Sequence, residues 1–93
     1  MYYIYIVTNK TNDVMYIGVT NDLRKRLNDH KKEQFEGFTK KYHTHKLVYF
    51  EEYFEIHDAI SREKQLKRWT RVKKNQLVET TNPNWDDWGE NFF

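Results

Sequence analysis

Alternation of apolar and polar or aromatic positions dominates the first twenty residues. Tyr2 to Val7 and Met15 to Val19 are built from β-branched and aromatic residues, and Thr8-Asn9-Lys10-Thr11-Asn12-Asp13 between them is rich in turn formers. The pattern predicts a β-hairpin. A hairpin symmetric about its turn sets Tyr5 opposite Tyr16 and Val7 opposite Val14. Side chains alternate across a strand, so Tyr3, Tyr5, Val7, Val14 and Tyr16 share one face and Ile4, Ile6, Met15 and Ile17 the other. One face is an aliphatic core surface; the opposite one carries phenols.

After the hairpin the period changes. Thr20-Asn21-Asp22 offers N-caps, and Leu23, Leu27 and His30 recur at helical spacing in a segment reaching to about Phe35 and closed by Gly37. A basic loop runs from Thr39 to Lys46. Leu47 to Phe54 returns to aromatic and β-branched residues and predicts a third strand. Ile56, Ala59, Ile60 and Leu66 then form the stripe of a second helix ending near Trp69. Thr70 is a break, a short basic helix with Val72, Leu77 and Val78 follows, and Asn82-Pro83-Asn84 stops it. The tail carries Trp85 and Trp88, which can lay their indoles back on the domain. The order ββαβαα predicts an α/β fold with a small three-stranded antiparallel sheet flanked by helices. Residues 1–80 are the expected domain and 81–93 a tail packed on it.

Ninety-three residues are enough for one core, and with 38% hydrophobic and 17% aromatic residues that core must be built largely from rings. Without cysteine, disulfides, thiolate zinc sites and cysteine nucleophiles are excluded. The N-terminus lacks the pattern of a signal peptide, and no apolar run approaches the roughly 20 residues of a membrane helix, so a cytoplasmic protein without membrane contact is expected. The net charge is only +2, but it is segregated. Arg24, Lys25, Arg26, Lys31 and Lys32 cluster in the first helix, and seven cations lie between Arg62 and Lys74 against the single acid Glu63. The acids gather at Glu51, Glu52 and Glu55 and in the tail. Segregation of this kind suits a face that binds a polyanion.

Three polar residues fall where apolar ones belong. Glu63 lies within the stripe of Ala59, Ile60 and Leu66, and a carboxylate there needs a cation or several donors. Arg26 and His30, one turn apart, flank Leu23 and Leu27. With the two tyrosines they can converge over one sheet face. Phosphodiester hydrolysis needs a positioned nucleophile, a proton acceptor and cations against phosphoryl charge. Glu63 can hold a divalent metal, Arg26 can fork onto phosphate oxygens, and His30 or a tyrosine can handle protons. One carboxylate suffices for Mg2+, which keeps several waters. A metal-assisted phosphodiesterase and a non-catalytic nucleic-acid-binding module both meet these residues.

The ordered set Tyr3-Ile4-Tyr5, Tyr16-Ile17-Gly18, Arg26, His30 and Glu63 resembles the GIY-YIG nuclease superfamily over nearly the whole chain. The chain looks most like its small stand-alone members, which are similar to the N-terminal nuclease domain of the bacterial excision-repair incision protein. Tyr3 replaces the glycine of the first motif, and Val19 and Thr20 stand where some relatives place a lysine. The resemblance implies catalytic roles for Tyr5, Tyr16, Arg26, His30 and Glu63. Tyr16 would be the general base or water-orienting phenol, Tyr5 and His30 its hydrogen-bonding neighbours, and Glu63 the ligand of one Mg2+ or Mn2+ ion. It implies supporting roles for Asn75 and Gly18, and DNA as the substrate. Arg24, Lys31, Lys64, Lys67, Arg68, Arg71 and Lys74 are the expected nucleic-acid contacts, with Arg24 or Lys31 flanking the catalytic cleft. A DNA endonuclease of weak sequence selectivity leads; a non-catalytic binding domain of the same fold is second, and a protein-interaction module using the aromatic surface third. Target, pathway and oligomeric state stay open.

Overall fold

A computed structural model describes residues 1–32 and 41–92. The strands β1 (Tyr2–Thr8), β2 (Met15–Thr20) and β3 (Lys46–Tyr53) form one antiparallel sheet in the order β2-β1-β3. Helix α1 (Leu23–Lys31) connects β2 towards β3; α2 (Ile56–Lys67), α3 (Arg71–Thr81) and a short α4 (Trp88–Phe92) follow. This is the expected α/β architecture with one more helical turn at the end. The expected end of the first helix near Phe35, its closing Gly37 and the start of the basic loop at Thr39 lie outside the described residues.

The hairpin register differs from the symmetric one. Tyr5 pairs with Gly18 and Val7 with Tyr16, two positions from the expected Tyr5–Tyr16 pairing. The cause is the turn. Asn9 closes it by donating its backbone N–H to Val14 O at 3.3 Å and accepting Val14 N–H on its side-chain Oδ1 at 3.0 Å, while Asn12 takes the left-handed conformation at φ 62°. A shift of two preserves the faces. Tyr5, Val7, Leu23, Leu27 and Leu47 form one buried cluster, under α1; Ile4, Ile6, Ile17, Val48, Ala59, Leu66 and Val78 form the other, under α2 and α3.

A β-bulge at Val48 links the two clusters. Ile6 pairs with Tyr49 and Val7 with Leu47, so Val48 and Tyr49 face the same layer. Leu47 and Phe50 consequently serve the Tyr5 face, while Tyr49, Glu51 and Tyr53 serve the face beneath α2.

Helices α1 and α3 start where a side chain accepts one of their first N–H groups, whereas α2 starts at Glu55 without such a bond. Asp22 caps α1 through Lys25 N at 3.1 Å, and Thr70 caps α3 through Lys73 N at 3.2 Å. Thr70 thus begins α3, while α2 ends earlier than the break expected there, at Lys67 with Arg68 as its C-cap. The α2 stripe is narrower than expected: Ala59 and Leu66 are buried, whereas Ile56 at the first turn is exposed, as is Val72 on α3. Asn82 stops α3 and is itself buried, its amide donating to Val48 O and Asp86 O. The tail then folds back, Trp85 against the α2/α3 cluster and Trp88 against the α1 cluster.

Candidate active site

The site grows from Tyr5, whose ring is completely buried in the central strand. Its neighbour across the sheet is Gly18, and a Cβ there would come within 2.6 Å of the phenol Cζ. Glycine at this position is the space the phenol occupies. The Tyr5 hydroxyl lies 3.0 Å from His30 Nε2 and is also hydrogen-bonded by the Arg26 side chain. Burial, and the neighbouring Tyr16, push its pKa far above the ordinary phenol value. Tyr5 therefore stays a neutral hydroxyl at every working pH.

Tyr16, one strand out and only half-buried, has its ring 6.3 Å from that of Tyr5 and 5.5 Å from His30. His30 is 1% exposed. Burial, reinforced by the charge of Arg26 and by His45, lowers its pKa to about 4, so the ring is a neutral imidazole near pH 7. Arg26, one turn before it on α1, is half-buried at the edge of the cluster. The charge of Glu63, on α2, reaches Tyr5 as well. Tyr5, Tyr16, Arg26, His30 and Glu63 thus share one electrostatic neighbourhood, drawn from β1, β2, α1 and α2.

Glu63 is half-buried at the margin of its helix stripe, its side chain 21% exposed, and pairs with Lys67 at 3.3 Å. An exposed i,i+4 pair contributes only about 0.3–0.5 kcal/mol, so Lys67 yields readily to a stronger cation. Among the described residues no group of three or more His, Cys, Asp or Glu could hold a metal. Glu63 offers a single carboxylate, the donor type that a hydrated hard cation takes.

The other expected residues are placed elsewhere. Asn75 accepts from Arg71 Nε at 2.8 Å, and the Arg71 guanidinium also donates to Asp13 O at 3.0 Å and to Asn12 O. Together they fasten α3 to the hairpin turn. Lys64 and Arg68 line a cleft of about 450 Å³ on α2 with Ser61, Gln65 and Trp69. Lys74 is half-buried early in α3, its backbone N–H bonded to Thr70 O. Arg24 and Lys31 line a different cleft, beside Gly89 of α4.

Two groups escaped the reading of the chain. Glu51 accepts from Tyr49, from Tyr53 at 2.6 Å and from Arg62 Nε and Nη2 at 3.0 and 3.1 Å. Burial works against that carboxylate, but the bonds from Arg62 and the two phenols outweigh it and lower its pKa. This clamp joins β3 to α2 one residue before Glu63. Strand parity carried the signal, since positions 49, 51 and 53 share a face. His45, whose charge reaches His30, lies in irregular chain ahead of β3, where no periodicity marks a side chain's direction.

Comparison with known proteins agrees with this arrangement. Residues 1–76 match the family model described as the GIY-YIG catalytic domain. A UPF0213 protein of Limosilactobacillus reuteri is 38% identical over 83% of this chain and 81% of its own length, and one of Clostridium perfringens 38% identical over 86% and 85%. A UPF0213 protein of the archaeon Haloquadratum walsbyi is 35% identical over 84% and 86%. The solution NMR structure of a UPF0213 protein from Bacillus halodurans superposes with a TM-score of 0.59 at 26% identity, over 95% of this chain and 94% of that one. The chain belongs to the GIY-YIG catalytic-domain family, among its small UPF0213 members.

Proposed function

We propose that this chain is a divalent-metal-dependent endonuclease that hydrolyses DNA phosphodiester bonds with weak sequence selectivity. The observation that carries the reading is the convergence of Tyr5, Tyr16, Arg26 and His30 on one hydrogen-bonded cluster within reach of the Glu63 charge. Packing alone gives no reason to gather two phenols, a neutral imidazole, a guanidinium and a carboxylate at one edge of a small domain.

The two phenols divide the work by environment. Tyr5, buried and held neutral, orients His30 and Arg26. Tyr16, at the rim, orients the water that attacks phosphorus, and the neutral His30 ring packs beside it and holds the two phenols in place. Arg26 presents its remaining N–H groups to the phosphoryl oxygens, where negative charge develops in the transition state. Glu63 would hold the divalent metal ion, which when bound would supply Lewis-acid stabilisation to the phosphate. The water forms its P–O bond as the bond to the leaving oxygen breaks; the proton the water gives up to solvent is matched by one the leaving oxygen takes from it, and both product ends are released.

The Lys67–Glu63 ion pair favours a second reading, a nucleic-acid-binding domain of the same fold in which Lys67 permanently neutralises the carboxylate. Incubation with branched, single-stranded and duplex DNA, with and without Mg2+ or Mn2+, separates the two. Cleavage that needs the metal supports the nuclease. Binding to all of these DNAs without cleavage under any metal supports the second reading and overturns the first.

A further inference from the structure

Helix α1 has two charged flanks. Arg26 faces the site on one; Arg24, two residues away and therefore about 200° around the axis, and Lys31 lie on the other. There Arg24, Lys25, Asn28 and Lys31 line a surface cleft of about 480 Å³, with Leu27 and Gly89 also in its walls. Asp22 is the acid of this lining, and its carboxylate is engaged as the α1 N-cap. Among the described residues, no ion pair joins Arg24, Lys25 or Lys31 to an acid.

The placement of these charges is costly to the helix. Arg24 and Lys25 occupy the first turn of α1, which holds no acid. Cations there oppose the positive end of the helix macrodipole. The opposing wall is held firmly. Asp87 Oδ1 accepts from Leu47 N at 3.1 Å and from Gly89 N at 2.9 Å. A Cβ on Gly89 would stand 3.0 Å from that same carboxylate, so the glycine keeps the Asp87 turn tight, and the position lies in ordinary contact range of Leu27 on α1.

We propose that this cleft binds a second stretch of nucleic-acid phosphodiester backbone, on the far side of α1 from the bond to be cleaved, with the C-terminal tail as its wall. The proposal rests on the nuclease reading and extends it from the reacting phosphate to the grip on the strand. Cations and an amide surround a space with Leu27 as its apolar side chain, which suits a polyanion better than an apolar ligand. Arg24 and Lys31 stand about 10 Å apart along the helix, far enough to meet separate phosphates of one strand. The contacts read charge and spacing, so they add affinity without sequence preference.

The test is equilibrium binding of the full chain to duplex and branched DNA without metal, measured from low to high salt, for wild type and for Arg24→Gln/Lys31→Gln. A charge-matched Lys10→Gln/Lys41→Gln variant is the control, and circular dichroism checks the fold of each. The expected result is weaker binding by the α1 variant and a logarithmic salt slope smaller in magnitude by about 1.8, with the control at the wild-type slope. Wild-type affinity and slope in the α1 variant, or an equal loss in the control, would overturn the proposal. So would loss of binding to poly-glutamate or to anionic lipid vesicles with DNA binding unchanged, which would reassign the cleft. Wild-type protein that binds no DNA would remove the nuclease reading and this proposal together, whereas a wild type that binds and cleaves beside an indistinguishable variant removes this one alone.

Discussion

Tyr5 and Tyr16 are the same side chain in two settings, and the difference predicts opposite mutational signatures. Tyr5→Phe deletes the hydroxyl that faces buried His30 Nε2 at 3.0 Å and should lower stability by about 1–3 kcal/mol, the cost of stranding a buried polar atom. Tyr16→Phe, at the half-buried rim, should lower the cleavage rate by about 10²–10⁴ with the smaller effect on stability. Urea titrations of both variants beside single-turnover rates check the split; equal stability losses would contradict it. His30 adds a pH signature. Its folded pKa of about 4 lies below the unfolded value near 6.5. The unfolded chain therefore binds more protons between those values, so stability falls as pH drops through that window and levels off below it, by about 3 kcal/mol in total. Histidine titration followed by NMR should find His30 with a midpoint near 4; a midpoint near 6.5 would mean that the ring is solvated. Gly18→Ala meets the Tyr5 ring directly and should cost about 1–3 kcal/mol as an overpacked site.

Elements set the aim of these residues. Helix α2 is anchored on one flank by Arg62 to Glu51 and carries Glu63 on the other, so a rotation of the helix would swing both together. Glu51→Ala strands Arg62 and two phenols and should destabilise the protein by about 2 kcal/mol in urea titrations, below the range for a fully buried pair because these groups are partly solvated. A change within experimental error would show that the clamp contributes nothing. The elements themselves were legible because their periods were clean: Tyr2–Thr8 and Met15–Thr20 alternate, and Leu23, Leu27 and His30 repeat at helical spacing. The register was not, because it depends on Asn12 adopting a left-handed backbone, which no alternation encodes. The bulge at Val48 was equally hidden in an apolar run that reads as uninterrupted strand. The candidate site was legible as a set because charged residues on apolar faces are rare and ordered motifs add up. The Arg71–Asn75 link to the turn was not, since an arginine in a basic run gives no sign of whether backbone carbonyls will claim it.

At the scale of the whole molecule, the proposed reacting centre and the proposed grip on the strand lie on opposite flanks of α1. The sheet provides the division: one face packs α2 and α3 over Ile4, Ile6, Ile17 and Val48, with Tyr49 and Tyr53 bonded to Glu51, while the other carries Tyr5, Tyr16 and α1. Glu63 comes from the first layer, Arg26 and His30 from the second, and the site forms where both reach Tyr5. If that convergence is a phosphodiester hydrolysis centre, the carboxylate has to matter to chemistry far more than to folding. The most direct measurement is the single-turnover rate of DNA cleavage under saturating Mg2+ or Mn2+, for wild type and for Glu63→Gln, with the fold of both confirmed by circular dichroism. The variant keeps the shape of the side chain and loses its charge, forfeiting the exposed Lys67 pair at a cost of about 0.3–0.5 kcal/mol. The account predicts metal-dependent cleavage by the wild type and none above background by the folded variant. Cleavage at the wild-type rate by Glu63→Gln would contradict it.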